Sequence, residues 1–209
     1  ESPARVCSAM QAMMEELHES GHGGHFDWFL LSDTTNPDIW IEEERLFVEL
    51  RKRIGDKGRI YYRHRPRNIA RKTGNIADFV TRWGGAFDHM VVLDADSLLS
   101  AEAILRLTEA MENDPDAAII QSPPLIINRN TLLARLHQFA ARFQGPIVAA
   151  GLQAWSGANG NYWGHNAIIR MRAFADHCGL PDLRGRPPFG GHIMSHDFIE
   201  AALLRRAGY

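Results

Sequence analysis

An apolar run ends abruptly in two carboxylates at residues 90–97, where the sequence reads MVVLDADS. Residues 91–93 form an unbroken apolar stretch, which is typical of a parallel strand that helices cover on both faces. Such a strand places Asp94 and Asp96 at its carboxyl end, the edge at which open α/β sheets bind ligands. Two carboxylates there can hold a divalent cation that bridges a diphosphate. The pattern favours a metal-dependent enzyme acting on a nucleotide; the alternative is a turn in which Asp96 or Ser97 caps the next helix.

The rest of the chain alternates between the strand and helix periods. In the first 122 residues we predict four strands and four helices. The strands are Phe26–Ser32, Arg59–Arg63, Met90–Leu93 and Ala117–Gln121, and the helices are Pro3–Ser20, Pro37–Ile54, Gly74–Trp83 and Ser100–Asn113. After Thr131 we predict a helix, a Gly/Asn/Trp-rich loop, a strand at Ala167–Arg170, a helix, a Pro/Gly-rich loop and a last helix from Ser195. This order predicts an α/β fold with a mostly parallel, Rossmann-like sheet and helices on both faces.

The start of the chain lacks one expected element. An open doubly wound sheet normally begins with a strand, whereas residues 1–5 lead directly into a helix. We therefore expect the first strand to be missing from this segment. The 209 residues are expected to form a single domain, with a nucleotide-binding half at 1–122 and an acceptor-binding, catalytic half at 123–209.

Composition excludes several classes of protein. The chain is 45% hydrophobic with a formal net charge of -2, so it is neither disordered nor polybasic overall. Its two cysteines do not provide a disulfide framework. No apolar run approaches the roughly 18 residues that a membrane span needs.

Other polar residues stand where a nucleotide would bind. Asp33 ends the first strand as Asp94 ends the third, so its carboxylate could accept from a uracil or ribose group, or form an Asx turn. Lys72 precedes Gly74 and Asn75 at a predicted helix start, where a diphosphate binds favourably. The run RHRPRNIARK at 63–72 also suits a solvated face or a nucleic-acid patch, although it lacks interleaved aromatic residues.

The second half offers an acid and possible sugar contacts. Asp197 falls in the first turn of the last helix, where the helix dipole favours its ionised form; it could act as a general base or only as a dipole partner. Tyr162 and Trp163 offer flat surfaces on which sugars stack, with core packing as the alternative. His165 lies two residues after Trp163, and His196 directly precedes Asp197. These two histidines complete the candidate acceptor-binding set.

Taken together, the motifs resemble a known family. Asp33, Lys72, the Asp94/Asp96 pair and SHDFIEA resemble the processive family-2 glycosyltransferases with a GT-A fold. More closely, RKTGNIADF, RWG, MVVLDADS, YWGHNAIIR and SHDFIEAALLRRAGY resemble the glucans biosynthesis glucosyltransferase H family, the inner-membrane enzymes of osmoregulated periplasmic glucan synthesis.

The resemblance implies a reaction and roles for its residues. The expected reaction is inverting transfer of glucose from UDP-glucose to a growing β-glucan. It implies a divalent cation, Mg²⁺ or Mn²⁺, held chiefly by Asp96 with Asp94. It also implies donor contacts from Asp33, Lys72, Asn75 and Asp94, and Asp197 as the catalytic base.

The resemblance also implies what surrounds this segment. The family's QxxRW-type motif and transmembrane helices are absent from these residues, so we expect a catalytic-domain fragment that is inactive when isolated. Its membrane contact would come from segments outside it, at the cytoplasmic face of the bacterial inner membrane. Two alternatives remain: another family-2 nucleotide-sugar transferase, such as a cellulose-synthase-like or lipid-linked enzyme, or a non-catalytic module that binds nucleic acid through residues 63–72. We expect no nucleic-acid partner.

Overall fold

The computed structural model describes residues 2–128, 130–186 and 189–209. The strands are β1 (Asp27–Ser32), β2 (Arg59–His64), β3 (His89–Val92), β4 (Ile119–Gln121) and β5 (Ala167–Arg170). The helices are α1 (Pro3–Glu19), α2 (Pro37–Ile54), α3 (Arg71–Trp83), α4 (Ala101–Asn113), α5 (Leu132–Ser156), α6 (Met171–His177) and α7 (His196–Ala207). The predicted α/β class and the predicted order of elements are confirmed.

The strands form two separate sheets. β1 pairs with β2 in parallel, as predicted. In the second sheet β5 lies between β3 and β4 and runs antiparallel to both, a direction that the sequence analysis leaves open. A short apolar run such as Ala167–Arg170 does not encode strand direction, because buried strands of either orientation show the same residues.

Helices cover both faces of the second sheet, and β5 lies at its centre. Ala167, Ile168 and Ile169 are at most 1% exposed. Ile168 packs in the cluster that contains α1 and α4 residues, while its two neighbours pack in the cluster that contains α3, α6 and α7 residues. That second cluster draws side chains from both halves of the chain, and the division at residue 122 remains a prediction.

A slot separates the two sheets. A cavity of about 1040 Å³ lies between β1 and β3 and touches consecutive residues of each strand, including 28–32 and 90–93. Side chains alternate between the two faces of a strand, so a cavity on one face would touch only every second residue. This cavity touches every residue of these stretches, so it lies along the edges of the strands. Helices α1, α3 and α4 supply most of its other walls: Val6, Met10, Met13, Ile76, Phe79 and Ile104.

The backbone pattern shows which groups face this slot. The Ser32 carbonyl accepts from the Arg65 N–H on the β2 side. The Val92 carbonyl accepts from the Asn166 N–H on the β5 side. Backbone groups point alternately to the two sides of a strand, so those of residues 29, 31, 89 and 91 face the slot. This gap agrees with the expectation of an inner strand missing from these residues.

None of the described helices combines the length and hydropathy that a membrane crossing needs. Helix α5, with 25 residues, contains no buried residue.

Hydrogen exchange of the backbone amides tests the slot. We expect the amides of Phe29, Leu31 and Val91 to exchange about tenfold or more faster than those of Leu30 and Val92, because only the latter donate across a ladder. Two-dimensional NMR after transfer to D₂O gives these rates residue by residue. Equal protection along either strand would show that its second edge is also paired.

Candidate functional site

Lys72 joins three separate parts of the chain at the carboxyl end of β3. Its Nζ donates to Asp94 Oδ1 and, at 2.7 Å, to the carbonyl of Gly164. The Lys72 and Asp94 side chains are each more than a third exposed, so solvent screens the ion pair and its contribution to stability is about 0–1 kcal/mol. The contact therefore matters for where it places these groups rather than for folding.

The backbone is strained where the loop before α3 leads into Lys72. Ala70 and Arg71 adopt left-handed backbone angles, with φ of 55° and 47°. The helix begins at Arg71 rather than at the predicted Gly74. Gly74 lies in the first turn against the loop, where an added methyl group would overlap the Ile69 carbonyl oxygen. Only glycine allows this approach without displacing the backbone.

Asp33 is engaged by two arginines. Arg65 donates to both of its carboxylate oxygens, at 2.7 and 2.6 Å, and Arg63 Nη1 lies 3.4 Å from Oδ1. All three side chains are at least 87% buried. Arg63 also pairs with Asp78 at 3.4 Å. Burial lowers the pKa of Arg63, and the charges of Asp78 and Asp33 act in the opposite direction.

These contacts change how the basic run at 63–72 is interpreted. Two of its arginines are held by Asp33 and Asp78, and Lys72 is held by Asp94. Three of its five Arg and Lys side chains are thus in ion pairs while Arg67 and Arg71 are exposed, so the run is not a uniformly basic surface. A donor contact by Asp33 would have to share the carboxylate with Arg65.

Asn75 connects α3 to β1. Its Nδ2 donates to the Leu31 carbonyl at 3.1 Å, and its side-chain oxygen accepts from Arg63. The first turn of α3 therefore reaches the ends of β1 and β3 together, through Asn75 and Lys72. This arrangement aligns the carboxyl ends of the two strands along one rim of the slot.

Asp94 and Asp96 lie in a turn. The Ser97 N–H donates to the Asp94 carbonyl at 2.9 Å, which closes the turn, and Asp96 is exposed. Ser100, rather than Asp96 or Ser97, caps α4 by accepting from the Ala103 N–H. Among the described residues, no group of three or more His, Cys, Asp or Glu side chains could form a metal site. A cation here would take one or two carboxylates and complete its coordination from the ligand.

Asp197 faces the same place from α7. It lies in the first turn, as predicted, and its Oδ1 accepts from the Phe198 N–H at 3.0 Å. Its Oδ2 would lie 3.5 Å from a methyl group added to Gly164, the residue whose carbonyl accepts from Lys72. Ser195 is the N-cap residue, but its side chain makes no capping hydrogen bond.

Tyr162 and His196 lie inside the protein. Tyr162 is 2% exposed, and its hydroxyl has no hydrogen-bond partner among the described residues. Its pKa is raised, first by burial and then by the charges of Glu200, Asp94 and Asp197. A ring so deeply buried cannot stack on a sugar, so the alternative of core packing describes it.

His196 pairs with a residue that the sequence analysis missed. Its Nδ1 lies 3.0 Å from Glu200 Oε2, and both side chains are buried. This pair spans the first turn of α7 and fixes the helix that carries Asp197. The i, i+4 spacing of the two residues was the available signal for Glu200. An acceptor contact by His196 would require this pair to open.

Trp163 and His165 remain at the surface of the site. Both are partly exposed, and the backbone N–H of Trp163 donates to Gln121 Oε1 at 3.0 Å. They flank Gly164, so among the four predicted acceptor contacts they are the two that a ligand beside Asp197 could reach. Their roles remain predictions.

Comparison with known proteins gives the family. Residues 44–178, well over half of the chain, match the family model described as glycosyl transferase family 2. This chain belongs to glycosyl transferase family 2. The match includes β2, the strained loop, α3, the Asp94–Asp96 turn and β5, but it ends before Asp197.

Two relatives extend the match over the entire chain. It is 59% identical over 209 residues to "Glucans biosynthesis glucosyltransferase H" of Bradyrhizobium diazoefficiens and 57% identical to the protein of that name from Shewanella baltica. The alignments cover 100% of this chain but 28% and 29% of those proteins, so the chain spans under a third of their length. The predicted resemblance to the glucosyltransferase H family is confirmed.

A substitution at Gly74 tests the strained loop of this family-2 domain. We expect Gly74→Ala to lower the free energy of unfolding by about 1–3 kcal/mol, because the methyl group meets the Ile69 carbonyl. Gly85→Ala is the matched control, since a methyl group there meets no heavy atom within 4 Å. Urea unfolding of both variants measures the difference. Equal stabilities would show that the loop yields freely.

Proposed function

We propose that this domain transfers glucose from UDP-glucose to a growing β-glucan, with inversion at the anomeric carbon. One observation carries the proposal: Lys72 links Asp94 to Gly164, and Asp197 lies against Gly164. Three charged groups thus meet at one rim of the sheet: the Lys72 ammonium for a diphosphate, the Asp94 carboxylate at a strand end and the Asp197 carboxylate for proton transfer. Relatives named as glucosyltransferases support the sugar and the glucan product.

The donor's diphosphate would lie at the N-terminus of α3, beside the Lys72 ammonium group. The ammonium group offers charge-assisted hydrogen bonds, each about 1.5–3 kcal/mol. The helix is 13 residues long, and its first N–H groups favour an anion. Lys72 would exchange Asp94 for the phosphate, which frees that carboxylate. Asp33 follows β1, and the side chain of Asn75 reaches the end of β1 from α3. Both would lie in the uridine part of the site.

The residues present fit a divalent cation that the donor helps to bind. Asp94 and Asp96 supply hard carboxylate oxygens from a single turn, and Asp96 is exposed. Mg²⁺ and Mn²⁺ suit such oxygen ligands and keep positions for phosphate oxygens. When bound, the cation would offset the charge that develops on the leaving diphosphate. Asp96 would hold it chiefly, because its exposed carboxylate is free from the start, whereas Asp94 is freed only when Lys72 turns to the phosphate.

Asp197 would act as the general base. Its Oδ1 is fixed by the Phe198 N–H, which leaves Oδ2 beside Gly164. As the acceptor hydroxyl oxygen bonds to the anomeric carbon, the bond from that carbon to the diphosphate oxygen breaks and the hydroxyl proton passes to Asp197. Attack opposite the leaving group inverts the anomeric configuration. The acceptor would lie against Trp163 and His165.

The same geometry would serve other family-2 enzymes that use nucleotide sugars. The sugar and acceptor assignments therefore depend on the named relatives, whereas the donor and base assignments depend on the contacts of Lys72 and Asp197. The alternative of a nucleic-acid module is disfavoured, because Asp33, Asp78 and Asp94 already pair with three of the five Arg and Lys side chains of residues 63–72. We further propose that the complete protein works at the cytoplasmic face of the inner membrane, anchored by segments outside this chain.

A first test concerns the cation. We expect Asp96→Ala to abolish the dependence of UDP binding on Mg²⁺ or Mn²⁺ without loss of stability, because an exposed ligand is removed and no core volume is lost. Titration calorimetry with and without EDTA measures this in the complete natural protein that carries these residues. Asp116→Ala, also an exposed acid, is the control. Unchanged metal-dependent affinity would remove Asp96 from the site.

A second test concerns the base. Asp197→Asn preserves size and the hydrogen bond to Phe198 but cannot accept the proton. We expect single-turnover transfer of glucose to fall by about 100-fold or more, while UDP-glucose affinity is retained. A mere dipole partner would cost about 0.3–1 kcal/mol of stability and leave turnover nearly normal. Rapid-quench measurements on membranes containing the complete protein distinguish these results.

A further inference from the structure

The segment that precedes β5 is held by side chains from three other elements. We call residues 159–165 the acceptor loop, because it contains the two partly exposed candidates for acceptor contact. Arg205 of α7 donates to the carbonyl of Asn159 at 2.6 Å. Lys72 of α3 donates to the carbonyl of Gly164 at 2.7 Å. The middle of the loop is held from β4.

Gln121, the last residue of β4, makes two hydrogen bonds to this middle part. Its side-chain Nε2 donates to the carbonyl of Asn161 at 2.6 Å, and its Oε1 accepts from the backbone N–H of Trp163 at 3.0 Å. These are the two backbone groups, on either side of Tyr162, that an antiparallel neighbouring strand would bond. Because both bonds go to the backbone, they fix the path of the loop itself.

The Gln121 side chain extends toward the side of the sheet that α7 covers. Side chains alternate along a strand, so Gln121 shares a face of β4 with Ile119. Ile119 packs against the core cluster that contains residues of α3, α6 and α7. Gln121 is partly buried, whereas no part of this cluster's centre is open to solvent. Its amide thus joins the acceptor loop to the same side of the sheet as the helix that carries Asp197.

Burial anchors the acceptor loop but does not orient it. Tyr162 is 2% exposed and belongs to that same cluster, so its ring holds the middle of the loop. A buried ring does not fix the peptide groups beside it, and these groups direct the next side chain, Trp163. Gln121 bonds both of them. Lys72 is a less constant support, because on the proposed function it also serves Asp94 and the donor phosphate.

We propose that Gln121 is a positioning residue for the acceptor: its amide holds the acceptor loop where Trp163 and His165 meet the sugar. This inference rests on the proposed function, since it concerns the acceptor side of that reaction. Reacting atoms must approach to about 3–3.5 Å, and a misplacement of about 1 Å can cost about 100-fold in rate. A displaced loop would therefore slow transfer without changing how the donor binds.

The test removes the hydrogen bonds of the amide while keeping its length. Gln121→Met has no strong hydrogen-bonding group, whereas Gln121→Glu keeps an accepting oxygen for Trp163 and loses the N–H that bonds Asn161. Gln11→Met is the matched control, because the Gln11 amide bonds side chains of α1 and α2. All three variants are made in the complete natural protein that carries these residues.

Two measurements are made on the same membranes. Hydrogen-exchange mass spectrometry follows the acceptor loop, and initial rates at varied UDP-glucose concentration follow transfer, expressed per UDP-glucose binding site so that unfolded protein does not count. We expect Gln121→Met to speed exchange across residues 161–164 about tenfold. It should lower kcat about tenfold and leave KM for UDP-glucose within about twofold. Gln121→Glu should lie between, and Gln11→Met should match the unchanged protein.

Three results would overturn the proposal. Unchanged exchange in Gln121→Met would show that the amide does not hold the loop. Faster exchange with a normal kcat would show that the position of the loop does not matter to the acceptor. A large rise in KM for UDP-glucose would place the effect at the donor. These results are read against an active unchanged protein, whereas no transfer by that protein would contradict the proposed function itself.

Discussion

The antiparallel insertion of β5 is the constraint on which the candidate site depends. Because β5 runs against its neighbours, its first residue, Ala167, pairs with Val92 and Gln121, the last residues of β3 and β4. The segment just before β5 must then emerge at the carboxyl edge of the sheet, where it brings Gly164 to Lys72. The buried side chains of β5 pack on both faces, so hydrophobic burial of about 1.5–3 kcal/mol per large residue holds this placement.

Much of the fold could be predicted from the sequence, because its strands and helices differ in apolar period and are separated by glycine and proline. Each predicted strand and helix lies within a few residues of its observed position. The placement of Asp94 at a strand end, of Lys72 at a helix start and of Asp197 in a first turn followed from the same local patterns. These properties are local, and the apolar periodicity of a sequence describes only local structure.

What the sequence could not show depends on contacts between distant residues. The direction of β5 is set by its neighbours rather than by its own residues. Asp33 meets Arg65, 32 residues away, and this engagement is invisible in LLSDTTNPD. The predicted start of α3 at Gly74 differs from the observed start at Arg71, because in the structure that glycine lies within the first turn, close to the Ile69 carbonyl. Tyr162 had two equal interpretations, and burial decided between them.

The Lys72–Asp94 ion pair also bears on how binding responds to salt. Without a ligand, the lysine already has a counter-ion that the chain itself provides. On the proposed function, a phosphate arriving at Lys72 replaces a carboxylate rather than mobile ions from solution. The exchange releases few small ions, so the affinity should vary with ionic strength less steeply than that of an open basic patch, where counterion release drives binding. A protein that holds its own counter-ion can thus keep a phosphate site ready without attracting other polyanions.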